Sequence, residues 1–234
     1  MFNPDASVVS VPIGHGAQCH VIDNALVDPD AMVDWAAAQA FASSRAHAYP
    51  GPVVAVPADV TQRMADHFAL HARPRLGARR TLDALVRLSM VTTPPAELVP
   101  CQWQCHRDRL GVAPPGLMIA ASVLYLFRDP ALGGTSFYAP RQAQPQTDRM
   151  IDDSLALDAS TFGARYGLAP GYMTDGNAWF ERTATVPAAW NRLIYYSGEI
   201  FHSGHIAHPD RLDTDPRRGR LTLNGFFTCR LNAS

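Results

Sequence analysis

Gly219-Arg220-Leu221-Thr222-Leu223-Asn224-Gly225-Phe226-Phe227 reads as a β-strand with two unlike faces. Successive side chains on a strand point to opposite sides, so Arg220, Thr222 and Asn224 share one face and Leu221 and Leu223 the other. A charged residue at the start of an otherwise apolar strand is usually a solvated end. Inside a double-sheet fold it can instead reach an interior cavity and clamp a carboxylate.

The sequence upstream supplies partner strands. Arg87 to Thr93, Val99 to His106, Leu117 to Phe127, Thr135 to Tyr138, Trp179 to Val186 and Asn191 to Ser197 are rich in Val, Ile, Leu, Tyr and Phe, and are parted by Pro, Gly and Asp clusters. Ile200 to Gly204 is a further short extended piece. Before them, Val8 to Val11 and His20 to Leu26 read as short strands. Asp28-Pro29-Asp30 reads as an N-cap with Pro in the first turn, opening a helix over Ala31 to Ala42. A second helix runs from Ala58 to about Arg73, stopped by Pro74 and Gly77. Helices first and then a run of strands predict a mainly β fold: a double-stranded β-helix, or jelly roll, with N-terminal helices packed on one sheet. The chain is read as one domain, with residues 1–84 as support and 85–230 as core. A polar, partly helical insertion spans Arg141 to Gly176.

Composition narrows the chemistry. The 234 residues carry a net charge of -1, which invites neither nucleic acid nor an acidic surface. All 20 basic residues are Arg, which excludes Schiff-base, pyridoxal-phosphate and P-loop lysines. Anions must be held by Arg, hydroxyls or backbone. Cys19, Cys101, Cys105 and Cys229 form no C-x-x-C pair and read as free thiols. Met1 to Pro12 has no charged n-region leading into an apolar run, and no stretch approaches a membrane span, so a cytoplasmic protein is expected.

The candidate chemistry lies in His106-Arg107-Asp108. On an extended segment, His106 and Asp108 point to the same side, and one distant His completes a 2-His-1-carboxylate set suited to non-haem Fe(II). H-x-D alone is weak, and His208-Pro209-Asp210 is a second occurrence, read as loop. His106 is preferred because it ends a strand-like segment. Three histidines compete for the distal position: His202, His205 and His208. His202 follows the apolar pair Ile200-Phe201, so it is first choice. His205 is the reserve, or a contact behind the ligands.

The ordered series His106-x-Asp108, Ala121 to Phe127, Gly133-Gly134-Thr135-Ser136-Phe137, Phe201-His202-Ser203-Gly204 and Gly219-Arg220-Leu221-Thr222 resembles the 2-oxoglutarate- and Fe(II)-dependent dioxygenases, in their prolyl-4-hydroxylase-like branch. A finer pattern, with Tyr49-Pro50-Gly51, Asn191-Arg192-Leu193 and Thr222-x-Asn224, resembles a bacterial family of unassigned function related to those oxygenases and covers nearly the whole chain. The resemblance implies that His106, Asp108 and His202 bind Fe(II) and form the catalytic centre. It implies that Arg220 pairs with the distal carboxylate of 2-oxoglutarate, and that Tyr125 helps to hold it unless it is a core aromatic. Thr222 and Asn224 would line the same pocket, and O2 would be the oxidant. The stretch from Ala207 to Arg218 is longer than in compact relatives and reads as a hairpin extension, which leaves Arg217 or Arg218 as substitutes for Arg220. Asp108 fills the position that halogenating relatives leave small, which favours hydroxylation of an amino acid, peptide or small molecule.

The insertion is either a lid bearing substrate contacts or plain surface cover. Arg141, Tyr138 and Trp179 are the candidate substrate contacts, with a solvated Arg141 as the plainer reading. Two rival functions remain at this level. One is a non-catalytic jelly-roll binding or regulatory protein. The other is a cupin-like metalloenzyme that uses other histidines, such as His205, without 2-oxoglutarate.

Overall fold

The computed structural model describes residues 1–42, 49–108 and 115–232. In chain order they form β1 (Val8–Gly14), β2 (Ala17–Ile22), α1 (Pro29–Ala37), β3 (Val53–Ala55), α2 (Ala58–His71), β4 (Ala78–Val91), β5 (Leu117–Tyr125), β6 (Thr135–Pro140), α3 (Gln144–Ala156), α4 (Ala159–Tyr166), β7 (Phe180–Val186), β8 (Leu193–Ser197), β9 (Phe201–Gly204) and β10 (Arg220–Leu231). The described strands make two antiparallel sheets. The larger has the order β1-β2-β8-β5-β10-β4-β3 and the smaller β7-β6-β9.

The strand quoted at the outset, β10, is central to the larger sheet. It pairs along nearly its whole length with β5 on one side and β4 on the other. Both of its faces are buried, for different reasons. Leu221, Leu223 and Phe227 join an apolar layer with Leu88 and Met90 of β4, Val33 and Ala36 of α1, and Met64 and Phe68 of α2. The N-terminal helices therefore cover this outer face. Burial of such side chains stabilises by about 1.5–3 kcal/mol each. The opposite face, with Arg220, Thr222 and Asn224, looks into the space between the sheets.

Several local expectations hold. Asp28 caps α1, its carboxylate accepting from the Ala31 amide at 2.9 Å, with Pro29 in the first turn. That helix stops at Ala37 rather than Ala42, and residue 42 instead bridges to Val53. The four cysteines are free.

Two expectations fail. Val99 to His106 is not a strand: Pro95–Glu97 and Pro100–Gln102 are 3₁₀ turns. Pro94, Pro95 and Pro100 explain this, since Pro favours tight turns and cannot donate to a ladder. Nor is residues 207–218 a hairpin. The segment holds one 3₁₀ turn, Pro209–Arg211, and further turns without ladder pairing.

The insertion is helical, as α3 and α4, and has its own apolar cluster. Met150, Phe162 and Tyr166 pack there with Trp103, Cys105 and Phe201. It thus braces the segments that carry His106 and His202.

Candidate metal centre

His106 and His202 face each other across a single antiparallel bridge. The His106 amide donates to the His202 carbonyl at 2.9 Å, and the His202 amide returns the bond at 2.9 Å. Two directly opposed residues send their side chains to the same face, and the two rings lie 4.5 Å apart. Two residues on, the Asp108 amide donates to the Gly198 carbonyl at 2.8 Å, which brings Asp108 onto that face. His106 therefore needs no regular strand behind it. The bridge to β9 supplies the extended geometry that the sequence reading had assigned to a strand.

His106, Asp108 and His202 bring one ligand atom each within 4.8 Å of one another. His106 Nε2 lies 3.6 Å from Asp108 Oδ1, and His202 Nε2 lies 3.4 Å from Asp108 Oδ2. Three cis ligands, each about 2.0–2.2 Å from a first-row ion, would stand about 3 Å apart. The two His–Asp separations are within about half an ångström of that spacing, and the widest pair of the set, within 4.8 Å, closes further on an ion.

The orientations suit a cation. His202 Nδ1 sits 2.9 Å from the Ile200 carbonyl, which only accepts, so Nδ1 carries the proton and the Nε2 lone pair faces Asp108. Asp108 Oδ2 is buried and has no hydrogen-bond partner, an arrangement costly for a carboxylate unless a cation completes it. Burial alone would raise the Asp108 pKa, but the His202 and His106 imidazoles outweigh it and hold the carboxyl well below its usual range. Burial likewise works to lower His202, and the Asp108 charge overrides it, so its pKa is raised. The His106 side chain is 55% exposed while that of His202 is 6% exposed, so the centre is approached from the His106 side.

The three residues line one end of a cavity of about 330 Å³ between the sheets. Arg220 lines it too and is only 4% exposed. Its Nε donates to the carbonyls of Leu132 and Gly133 at 3.0 and 3.3 Å, and Nη2 to that of Gly134 at 3.0 Å. These bonds fix the guanidinium and leave Nη1 without a partner among the described residues. Gly204 makes room for it, since a Cβ there would come within 3.4 Å of Nη2.

The other residues singled out in the sequence sort cleanly. Thr222 and Asn224 line the cavity. Tyr125 does not: it is fully buried, and its hydroxyl bonds Thr135 Oγ1 at 2.8 Å. Thr135, missed by sequence, presents its hydroxyl there instead. Tyr138, Arg141 and Trp179 lie outside the cavity. Tyr138 donates to the Met173 carbonyl, Trp179 to that of Tyr166, and Arg141 reaches Asn177 and Glu181. Arg217 and Arg218 are exposed, pair with Asp34 and Asp213, and do not line the cavity. His205 meets Ser136 Oγ at 2.9 Å, and His208 caps an exposed turn; neither joins the three-residue group.

Sequence reading also missed Arg107. It lies between two of the three residues, stacks over Phe201 and pairs with Asp148 of α3 at 2.9 Å. The ion pair ties the H-x-D segment to the insertion.

Residues 4–227 match the model of the Family of unknown function (DUF6445). The chain belongs to this family. No curated protein sequence matches it. Solved structures similar to it include the following two. One is HygX from Streptomyces hygroscopicus with nickel and 2-oxoglutarate bound, at 12% identity and a TM-score of 0.50, covering 92% of this chain and 83% of HygX. The other is SnoN, a non-heme alpha ketoglutarate dependent epimerase from nogalamycin biosynthesis, at 15% identity and a TM-score of 0.50, covering 90% of this chain and 78% of SnoN. At these identities the likeness is one of fold. This DUF6445 member shares the fold of iron- and 2-oxoglutarate-dependent proteins, in keeping with the resemblance read from its motifs.

Proposed function

We propose that this DUF6445 protein is a 2-oxoglutarate- and Fe(II)-dependent oxygenase on a jelly-roll frame, hydroxylating a small-molecule, amino-acid or peptide substrate with O2. One observation carries the reading. His106, Asp108 and His202 converge with Asp108 Oδ2 buried and without a hydrogen bond, lining a cavity that also holds a fixed, carboxylate-free Arg220. A binding protein has no need of such a costly carboxylate, and the three-residue group that a cupin-like alternative would use does not include His205.

His106, Asp108 and His202 would hold Fe(II), with His202 oriented by the Ile200 carbonyl. Bound there with 2-oxoglutarate and O2, the metal would supply the oxidising chemistry, with succinate and CO2 as co-products. Arg220, fixed by three carbonyls, would pair with the far carboxylate of 2-oxoglutarate, since guanidinium matches carboxylate in shape and charge. Thr135 of the smaller sheet and Thr222 of the larger both line the cavity and would accept or donate beside it. Tyr125 acts behind the wall by orienting Thr135. Tyr196, edge-on to His202 at 4.7 Å, closes the metal end with an apolar face that keeps water out.

The test is anaerobic titration. Fe(II) protein should develop a visible charge-transfer band when 2-oxoglutarate is added, and should form succinate slowly once air is admitted. Failure to bind either metal or 2-oxoglutarate would overturn the proposal.

A further inference from the structure

The cavity holds a second arginine that the chemistry above does not use. Arg87 of β4 lines it opposite Asn224, its register partner on β10. Its guanidinium carbon lies 5.3 Å from the Phe226 ring centroid and 5.7 Å from that of Tyr49. No carboxylate of the described residues pairs with it, and its Nε is buried without a hydrogen-bond partner. Two aromatic faces hold such a group in place but leave its in-plane donors unused. Burial pulls its pKa down, partly opposed by Tyr49 and Asp108, yet a guanidinium keeps its proton in a protein.

The surroundings repeat the pattern. The Tyr49 hydroxyl, Asn224 Oδ1, Ser122 Oγ and both polar atoms of Gln104 are also buried without hydrogen-bond partners, and all four residues line this same cavity. Buried polar groups are rarely orphaned, so a cluster of them around one cavity marks a place completed by a polar ligand. Charge gives the sign of that ligand. Among the described residues, Asp108 is the only acidic one lining the cavity, against Arg87 and Arg220. A divalent metal and the 2-oxoglutarate dianion cancel each other, and Asp108 cancels one arginine. One positive charge is left over.

We propose that Arg87 anchors the primary substrate, and that this substrate is a small organic acid held by its carboxylate. The proposal rests on the oxygenase reading and names the substrate class of the same site. The carboxylate takes the unused in-plane donors of Arg87. Gln104, Asn224 and Tyr49 then meet a second polar group on the substrate, such as an amine or hydroxyl. A cavity of about 330 Å³ that must also take 2-oxoglutarate leaves room inside for a compact acid beside Arg87.

The test uses the Zn(II)- and 2-oxoglutarate-loaded protein, which cannot turn over. The probe is a mixture of three- to six-carbon carboxylic and amino acids, set against the same compounds as primary amides. Saturation-transfer NMR reads binding of the mixture, and calorimetry reads 2-oxoglutarate binding separately. Wild type should bind at least one acid and none of the amides. Arg87→Gln should weaken that acid about 10- to 100-fold while changing 2-oxoglutarate affinity less than threefold. Arg87→Lys, which keeps the charge without the fork, should fall between them and guards against a folding defect in the first variant. Binding of amides as well as acids, no acid bound, or an acid indifferent to both substitutions would each overturn the proposal. Loss of 2-oxoglutarate in Arg87→Gln would also overturn it, by assigning Arg87 to the co-substrate. Wild type that binds neither Zn(II) nor 2-oxoglutarate would instead remove the oxygenase reading beneath it.

Discussion

Gly198→Ala isolates the fit on which the metal centre depends. Gly198 takes the Asp108 amide on its carbonyl at 2.8 Å and gives its own amide to the Ile119 carbonyl at 2.8 Å. A Cβ at this position would lie 2.9 Å from Asp108 Cβ, 3.0 Å from the Ile119 oxygen and 3.3 Å from Asp108 Oδ2. Its φ is not in the left-handed region, so alanine brings a steric load without backbone strain. Relief to ordinary contact needs Asp108 to retreat by about 0.5 Å, the tolerance within which metal ligands must be held. Overpacking of this kind costs about 1–3 kcal/mol. If the cost falls on the carboxylate, metal affinity drops about 5- to 150-fold. The assay is calorimetric titration with Mn(II), beside thermal melts of the metal-free protein. Gly171→Ala is the control, because nothing lies within 4 Å of a Cβ there. Wild-type affinity in a folded Gly198→Ala protein would refute the reasoning, as would an equal loss in the control.

Arg220→Leu removes both the proposed co-substrate anchor and the donors to three carbonyls. The expected results are loss of 2-oxoglutarate binding in calorimetry and about 2–4 kcal/mol of stability, or roughly 4–16 °C in Tm, by thermal melts. Asp148→Asn breaks the Arg107 pair that ties the H-x-D segment to α3, and Mn(II) titration should show affinity falling about 2- to 10-fold with little change in Tm. His67 is packed under Phe2 with its Nδ1 2.9 Å from the Tyr195 hydroxyl; burial, and then the charge of His71, pull its pKa down to about 4. The unfolded chain then binds more protons between pH 6.5 and 4, so stability falls as pH falls through that window, by about 2 kcal/mol from pH 7 to 5. Urea melts at the two pH values should show His67→Gln losing that increment.

Much of the fold was legible because strand and helix signals are local. The alternation over Arg220 to Thr222 to Asn224 placed a polar face on β10, and the Asp28-Pro29 cap placed α1. The failures have physical causes of the same kind. His106 was assigned to a strand because the rule for an i, i+2 pair needs extended backbone. The protein obtains that backbone from one bridge to His202, almost a hundred residues away in sequence, while the prolines before it make turns. Tyr138 and Trp179 share aromatic character with cavity residues, but β6 and the residue before β7 place them in the apolar cluster with α3 and α4.

By itself, the sequence determined which residue types were available and where regular structure could form. It contained H-x-D, a distal His, an Arg at a strand start and no lysine at all. The sequence ranked His202 ahead of His205 and His208, but only the tertiary structure brought it to His106 and Asp108, left Asp108 Oδ2 without a hydrogen bond, and paired Arg217 and Arg218 away from the cavity. The tertiary structure alone set Arg87 beside Asn224 on one wall of the cavity. The reason is register: a strand's own pattern says which residues share a face, but the partner strands decide what that face encloses.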